Sequence, residues 1–223
     1  MIRSACAAAI ICGTCAASPA MAQAKVEVSG NIGYVASEGV TGNAVLAQDG
    51  NVYDELNPQS SVGYHFTFGV NVSPHVEVGF LWGRQQSQLE AKGPSNSVTI
   101  GDMNVNNYHG YFAYNFGDPE GHVRPFVLGG LGATSYGDVD YTTPGGLSGT
   151  INGGSKFSTT LGAGVKLYPG KVVGFRAEMR WTPTYIKSDA AGWWCDPYWG
   201  CYLASNAQYS NQFEMSGGVT LRF

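Results

Sequence analysis

The sequence predicts an all-β chain folded as a single antiparallel barrel of eight strands. Three observations predict it. Apolar residues alternate with polar or small ones along successive segments, short turns alternate with long polar connections, and the last strand ends on an aromatic residue, Phe223. Composition agrees with this class. Of 223 residues, 32 are glycine, and aromatics make up 13% against a charged fraction of only 13%. A soluble helical protein carries more Leu, Ala, Glu and Lys, whereas aromatics favour strands and glycine suits close packing and tight turns. The net charge of −4, with no Lys/Arg run, argues against a nucleic-acid partner.

The first segment stands apart from the barrel. Arg3 supplies a positive start, Ala5 to Ala17 is a run of small and apolar residues, and Ala20-Met21-Ala22 has the pattern read by signal peptidase. Residues 1–22 are therefore expected as a cleaved signal peptide and 23–223 as one barrel domain, with Ala22-Gln23-Ala24 offering a second cleavage position. The run is too short to span a membrane, which takes about 20 apolar residues. Cys15 follows Cys12-Gly13-Thr14 and lacks the aliphatic-small-small approach of a lipidation signal. Beyond the signal remain Cys195 and Cys201. In an oxidising compartment this pair is expected to form a disulfide, and with no His beside it a metal site is not expected.

The strands follow in order. Val26, Val28, Ile32 and Tyr34 alternate with Glu27, Ser29, Asn31 and Gly33. Val62, Tyr64, Phe66, Phe68, Val70 and Val72 oppose Ser61, Gly63, His65, Thr67, Gly69 and Asn71, a period of two that defines a two-faced strand. Val76, Val78, Phe80 and Trp82 oppose Glu77, Gly79 and Gly83, with Leu81 breaking the pattern. Tyr108, Phe112, Tyr114 and Phe116 oppose His109, Tyr111, Ala113 and Asn115. The fifth strand, about Val123 to Tyr136, is rich in glycine and its facing is ambiguous. The sixth carries Phe157, Thr159, Leu161, Ala163, Val165 and Leu167 on one side. In the seventh, Val173, Phe175, Ala177, Met179 and Trp181 oppose Gly174, Arg176, Glu178, Arg180 and Thr182. The eighth sets Tyr209, Phe213, Met215, Val219, Leu221 and Phe223 against Ser210, Gln212, Glu214, Ser216, Gly218, Thr220 and Arg222.

Short turns are expected at Ser73-Pro74-His75, Gly117 to His122 and Pro169-Gly170-Lys171, and long loops at about 36–60, 87–103, 137–155 and 186–208. Strands of ten residues or more are long enough to cross a bilayer at a tilt. Aromatics collect near the strand ends, with Tyr64, Trp82, Tyr108, Trp181 and Tyr209 toward one rim and Phe116 and Phe223 toward the other. Such girdles sit at lipid headgroups. The apolar face is thus expected outward, giving a transmembrane barrel with short periplasmic turns, long extracellular loops and both termini periplasmic.

The terminal pattern Met215-x-x-x-Val219-x-Leu221-x-Phe223 resembles the signal read by the outer-membrane assembly machinery, and Phe223 is its assembly residue. With segments such as Leu161-Gly162-Ala163-Gly164-Val165-Lys166 and Gly174-Phe175-Arg176-Ala177-Glu178-Met179-Arg180, the whole mature chain resembles the OmpA/OmpX-like outer-membrane β-barrel family. The resemblance implies fold and location in the outer membrane of a Gram-negative-type bacterium. It implies little about function, because the family holds structural proteins, adhesins and small pores.

An eight-stranded barrel is wide enough only for its own side chains. Glu77, Arg124, Arg176, Glu178, Arg180 and Glu214, with Arg222 beside them, are expected to project inward as a paired charge network that either plugs the barrel or gates a narrow ion path. In the last loop, Trp193, Trp194, Tyr198 and Trp199 are candidate ligand contacts, suited to stacking on sugars or to packing as a cap. Scattered loop acids match no calcium spacing. His65, His75, His109 and His122 offer no convincing catalytic partner, so no enzyme and no cofactor are expected. The function expected is structural or surface-borne, in adhesion or envelope integrity. A small pore for ions or solutes comes second and a lipid-modifying enzyme third. The partners expected are outer-membrane lipids and lipopolysaccharide, periplasmic chaperones, the assembly machinery, and an extracellular glycan or host ligand on a monomer.

Overall fold

Backbone N–H and C=O groups facing hydrocarbon must be paired on both edges of every strand, so a sheet in lipid has to close on itself. The computed structural model describes residues 26–46, 52–142, 148–186, 195–196, 200–201 and 209–223. The expected signal segment and its cleavage positions lie outside them. In chain order the strands are β1 (Val26–Ser37), β2 (Val40–Leu46), β3 (Val52–Pro58), β4 (Ser61–Asn71), β5 (Val76–Lys92), β6 (Ser97–Asn115), β7 (Val123–Tyr136), β8 (Val139–Thr142), β9 (Ser148–Ile151), β10 (Gly154–Leu167), β11 (Val173–Tyr185), β12 (Cys195–Asp196), β13 (Gly200–Cys201) and β14 (Tyr209–Arg222).

Eight of them form the ring β1-β4-β5-β6-β7-β10-β11-β14, every neighbour antiparallel, and β14 returns to β1. Closure runs from Glu27↔Arg222 to Ser37↔Gln212. It is finished by Val26 and Phe223, which exchange backbone bonds of 3.1 and 2.9 Å, so both lie at the short-turn end.

The alternation read from sequence emerges as an inverted surface. Ile32, Phe68, Leu131 and Met215 are more than half exposed on the outside, while His65, Thr67, Glu77 and Lys166 are buried within. The ambiguous fifth strand resolves: on β7 Arg124, Phe126 and Leu128 face the lumen, and Val123, Val127 and Leu131 face out. Leu81 breaks the alternation because it packs inside with Tyr111, Ala113, Phe126 and Leu128.

The long connections differ from the expected polar loops. β5 and β6 run on to Lys92 and from Ser97 as one hairpin, through the stretch expected as loop 87–103. Hairpins β2–β3 and β8–β9 occupy the stretches 36–60 and 137–155. The physical reason is burial. Leu89, Ala91, Met103 and Val105 hold the inward parity of their strands beyond the barrel and cluster with Val40, Tyr53, Leu56, Tyr136, Val139, Ile151 and Ile186. This folded crown sits over the lumen at the long-connection end.

Candidate functional site

The lumen is layered, and the layers follow from which residue each strand turns inward. At the short-turn end, two arginines tie down the turns. Arg124 donates to the Pro74 carbonyl at 2.8 Å, and Arg222 donates to the Pro119 carbonyl at 3.2 Å while lying 4.3 Å from the Tyr168 ring centre. Above them Lys166 donates to both Glu27 and Glu77 at 2.5 Å, and the Tyr111 hydroxyl donates to Glu77 at 2.5 Å. Asn71 donates to the second oxygen of Glu27 at 3.2 Å.

A second ion group lies higher on β11 and β14. Arg176 donates through Nε and Nη2 to Glu178 Oε2 at 2.8 and 2.5 Å. Arg180 lies 3.5 Å from Glu178 and bonds Glu214, whose other oxygen is 2.7 Å from His65 Nδ1. Phe126 joins the two groups. Lys166 and Arg176 sit 5.4 and 4.4 Å from its ring centre, where the π face attracts cations.

The six charges expected inside, Glu77, Arg124, Arg176, Glu178, Arg180 and Glu214, are all there, and Arg222 with them. Reading by sequence missed Glu27 and Lys166, although both occupy the polar parity of their strands. It also missed Phe126 and Tyr111 as lumenal fillers. Cross-strand glycine is the signal that could have revealed them. A Cβ on Gly79 would stand 2.7 Å from Tyr111 Cζ, and one on Gly164 would stand 2.7 Å from Phe126 Cζ. Each pair is in direct register, Gly79↔Tyr111 and Gly164↔Phe126, so each ring lies flat over a glycine that leaves it room.

Higher still, charges give way to amides and hydroxyls. Gln212 donates to Gln85 at 3.0 Å, Asn107 donates to Gln212 at 3.1 Å, and the Thr134 hydroxyl donates to Asn107 at 2.7 Å. Thr184 donates to Thr134 at 3.0 Å, and His109 Nε2 lies 2.8 Å from Ser158 Oγ. Above these lies the apolar cluster of the crown.

Two histidines thus have partners that sequence reasoning did not supply, His65 with Glu214 and His109 with Ser158. Both face the lumen, away from lipid. His75 and His122 instead lie near the carbonyls of Asn115 and Tyr168, at 3.0 and 2.7 Å, and fasten the turns. Among the described residues no group of three or more His, Cys, Asp or Glu is arranged to hold a metal.

A family model for the outer membrane protein beta-barrel domain matches residues 5–223. The chain belongs to the outer-membrane β-barrel family. A sequence search of curated proteins finds no match. Solved structures are similar in fold. The outer membrane protein OprG from Pseudomonas aeruginosa superposes with a TM-score of 0.55 at 11% identity, over 90% of this chain and 96% of that one. Neisserial surface protein A gives 0.50 at 14% identity, over 90% and 97%. These likenesses support the barrel fold, and the family model carries the outer-membrane setting.

On this outer-membrane barrel, Trp193, Trp194, Tyr198 and Trp199 lie outside the described residues. For the expected disulfide, the described backbone places Cys195 opposite Cys201 in the β12–β13 ladder.

Proposed function

We propose that this outer-membrane barrel conducts nothing in its resting form and serves as a rigid anchor that presents a folded crown at the cell surface. The observation that carries the reading is the apolar layer at the long-connection end. Among the described residues the inward face changes from ion pairs to packed Leu89, Met103, Val105 and Tyr136, an apolar constriction of the kind that excludes water and ions. The same layer fixes hairpins β2–β3 and β8–β9, so what they present is pre-organised rather than ordered on binding.

In this reading the short turns, Val26 and Phe223 face the periplasm, and the crown faces outward. The aromatic loop with Trp193, Trp194, Tyr198 and Trp199, closed by a Cys195–Cys201 disulfide, then meets an extracellular glycan or host ligand. The direct register of the two cysteines supports that closure. No residue is assigned a catalytic role.

The test is planar-bilayer recording of the refolded protein. Silence from folded protein is the expected result. Discrete openings altered by Arg180→Ala would replace this reading with that of a small pore gated by the lumenal charges.

A further inference from the structure

Hairpin β8–β9 joins the barrel through a neck made of residues 137–138 after β7 and residues 152–153 before β10. The neck is closely fitted. Gly153 lies so tight against the opposite linker that a Cβ there would stand 2.1 Å from the Tyr136 carbonyl oxygen and 2.6 Å from that of Gly137. Its N–H donates to Asp138 Oδ1 at 2.8 Å and ties one linker to the other. On the hairpin side Val139 pairs with Ile151, both buried in the crown, and Thr150 donates to Asp140 at 2.6 Å. On the barrel side Gly154 pairs with Tyr136.

Asn152 stands exposed between these two fixed points. Asn152-Gly153 is the one Asn-Gly pair in the sequence. Asn is thermolabile, and most so before glycine, where no Cβ obstructs the following backbone nitrogen on its way to the side-chain carbonyl carbon. That nitrogen attacks only once it has lost its proton. Here the proton is held by a carboxylate in a charge-assisted bond. The same negative charge opposes an anion developing on the nitrogen.

We propose that Asn152 is a site of spontaneous deamidation held in check by Asp138, and that its conversion frees hairpin β8–β9 from the crown. Hydroxide removes the Gly153 amide proton. The nitrogen bonds to Asn152 Cγ, the Cγ–Nδ2 bond breaks, and ammonia leaves with a proton from water. Water then opens the cyclic imide at either carbonyl, giving aspartate or isoaspartate, so one water is consumed and one ammonia released. Aspartate sets a new carboxylate one residue from the Gly153–Asp138 bond, with Asp140 on the same hairpin. Isoaspartate adds one backbone atom, about 1.5 Å of bond, between Ile151 and Gly153. Neither neighbour absorbs it in place, since Ile151 is packed in the crown and Gly153 is wedged against two carbonyls. The neck gives way at the Gly153–Asp138 bond, and the hairpin opens locally.

The experiment incubates the full-length protein, folded in detergent micelles at mildly alkaline pH, and follows position 152 by peptide mass spectrometry beside an isoaspartate assay. Heat-dependent gel migration shows that each sample keeps its barrel. Wild type is expected to convert slowly at position 152, and Asp138→Ala several-fold faster. Thr150→Val, which breaks the bond to Asp140 but leaves that of Gly153, is expected to convert at the wild-type rate. Amide exchange of the converted protein is expected to show lost protection in β8–β9, with the β10–β11–β14 ladder unchanged. Absence of conversion in both wild type and Asp138→Ala overturns the proposal, as does an Asp138→Ala rate at or below that of wild type. Equal acceleration by Thr150→Val also overturns it, because looseness of the hairpin rather than Asp138 would then set the rate. Conversion that leaves β8–β9 protected overturns the release step.

Discussion

Lys166 is the residue on which the lower lumen turns. It is fully buried, and its ammonium is shared between Glu27 and Glu77, carboxylates from two other strands. Replacing it with methionine removes the cation shared by two buried carboxylates and leaves Glu27 with only the longer 3.9 Å pairing to Arg124. Removing one partner of a buried ion pair costs about 3–5 kcal/mol, whereas replacing the whole group with neutral residues of similar volume is often close to neutral. Lys166→Met is therefore expected to lower unfolding stability in lipid vesicles by that amount. The combination Lys166→Met, Glu27→Gln, Glu77→Gln is expected to regain most of it. Equal losses in urea titrations of the two proteins would mean that packing, not charge, holds this layer. Period two makes the polar parity of Lys166 and Glu27 legible in the sequence. Their pairing is not, because it joins residues 139 apart in the chain through a sheet register that no local pattern encodes.

Among elements, the β5–β6 hairpin divides into two parts with different environments. Up to Trp82 and Tyr108 its outer face is apolar, and its inner face meets lumenal charges and rings; beyond Leu89 and Met103 its inner face packs on the crown. Leu89 is wholly buried there. Leu89→Asp places a charge in an apolar cluster, which a side chain of this kind tolerates only when paired. The expected outcome is local: amide protection collapses along 87–103 and in β2–β3 and β8–β9, while the ladder of β10, β11 and β14 stays protected. Loss of protection throughout the barrel would show that crown and barrel unfold as one unit. The contrast also explains what the sequence disclosed. The eight spanning strands were readable because each keeps one face apolar for the length of a bilayer. The crown was not, because its inward residues are spread over seven strands and Ile186, each segment contributing only one or two of them, too few to show a period. Phe126 escaped for a related reason, since the glycines around it remove the contrast between the two faces of β7.

For the whole molecule, assembly and stability can be tested apart at Phe223. Phe223 closes the β1–β14 seam through its backbone, but its side chain is 68% exposed. Most of its apolar surface stays outside the packed protein whether or not the barrel is folded, so the ring gains little from folding beyond lipid contact. Substituting Phe223→Ala keeps the backbone bonds to Val26. It is expected to change refolded stability by no more than about 1 kcal/mol, the scale of a surface change away from caps and networks. If the ring is instead an address read by the assembly machinery, the same variant should reach the outer membrane several-fold less in cells. Arg222→Ala provides the comparison. It removes a bond to the Pro119 carbonyl and the contact with Tyr168, so it should lower refolded stability and spare delivery. Measuring urea midpoints in vesicles beside outer-membrane yield distinguishes the two. A Phe223→Ala protein that is as unstable in vitro as it is poorly delivered would make the terminal ring a structural residue. An unchanged yield would leave the seam's closure, rather than its last side chain, as what the cell recognises.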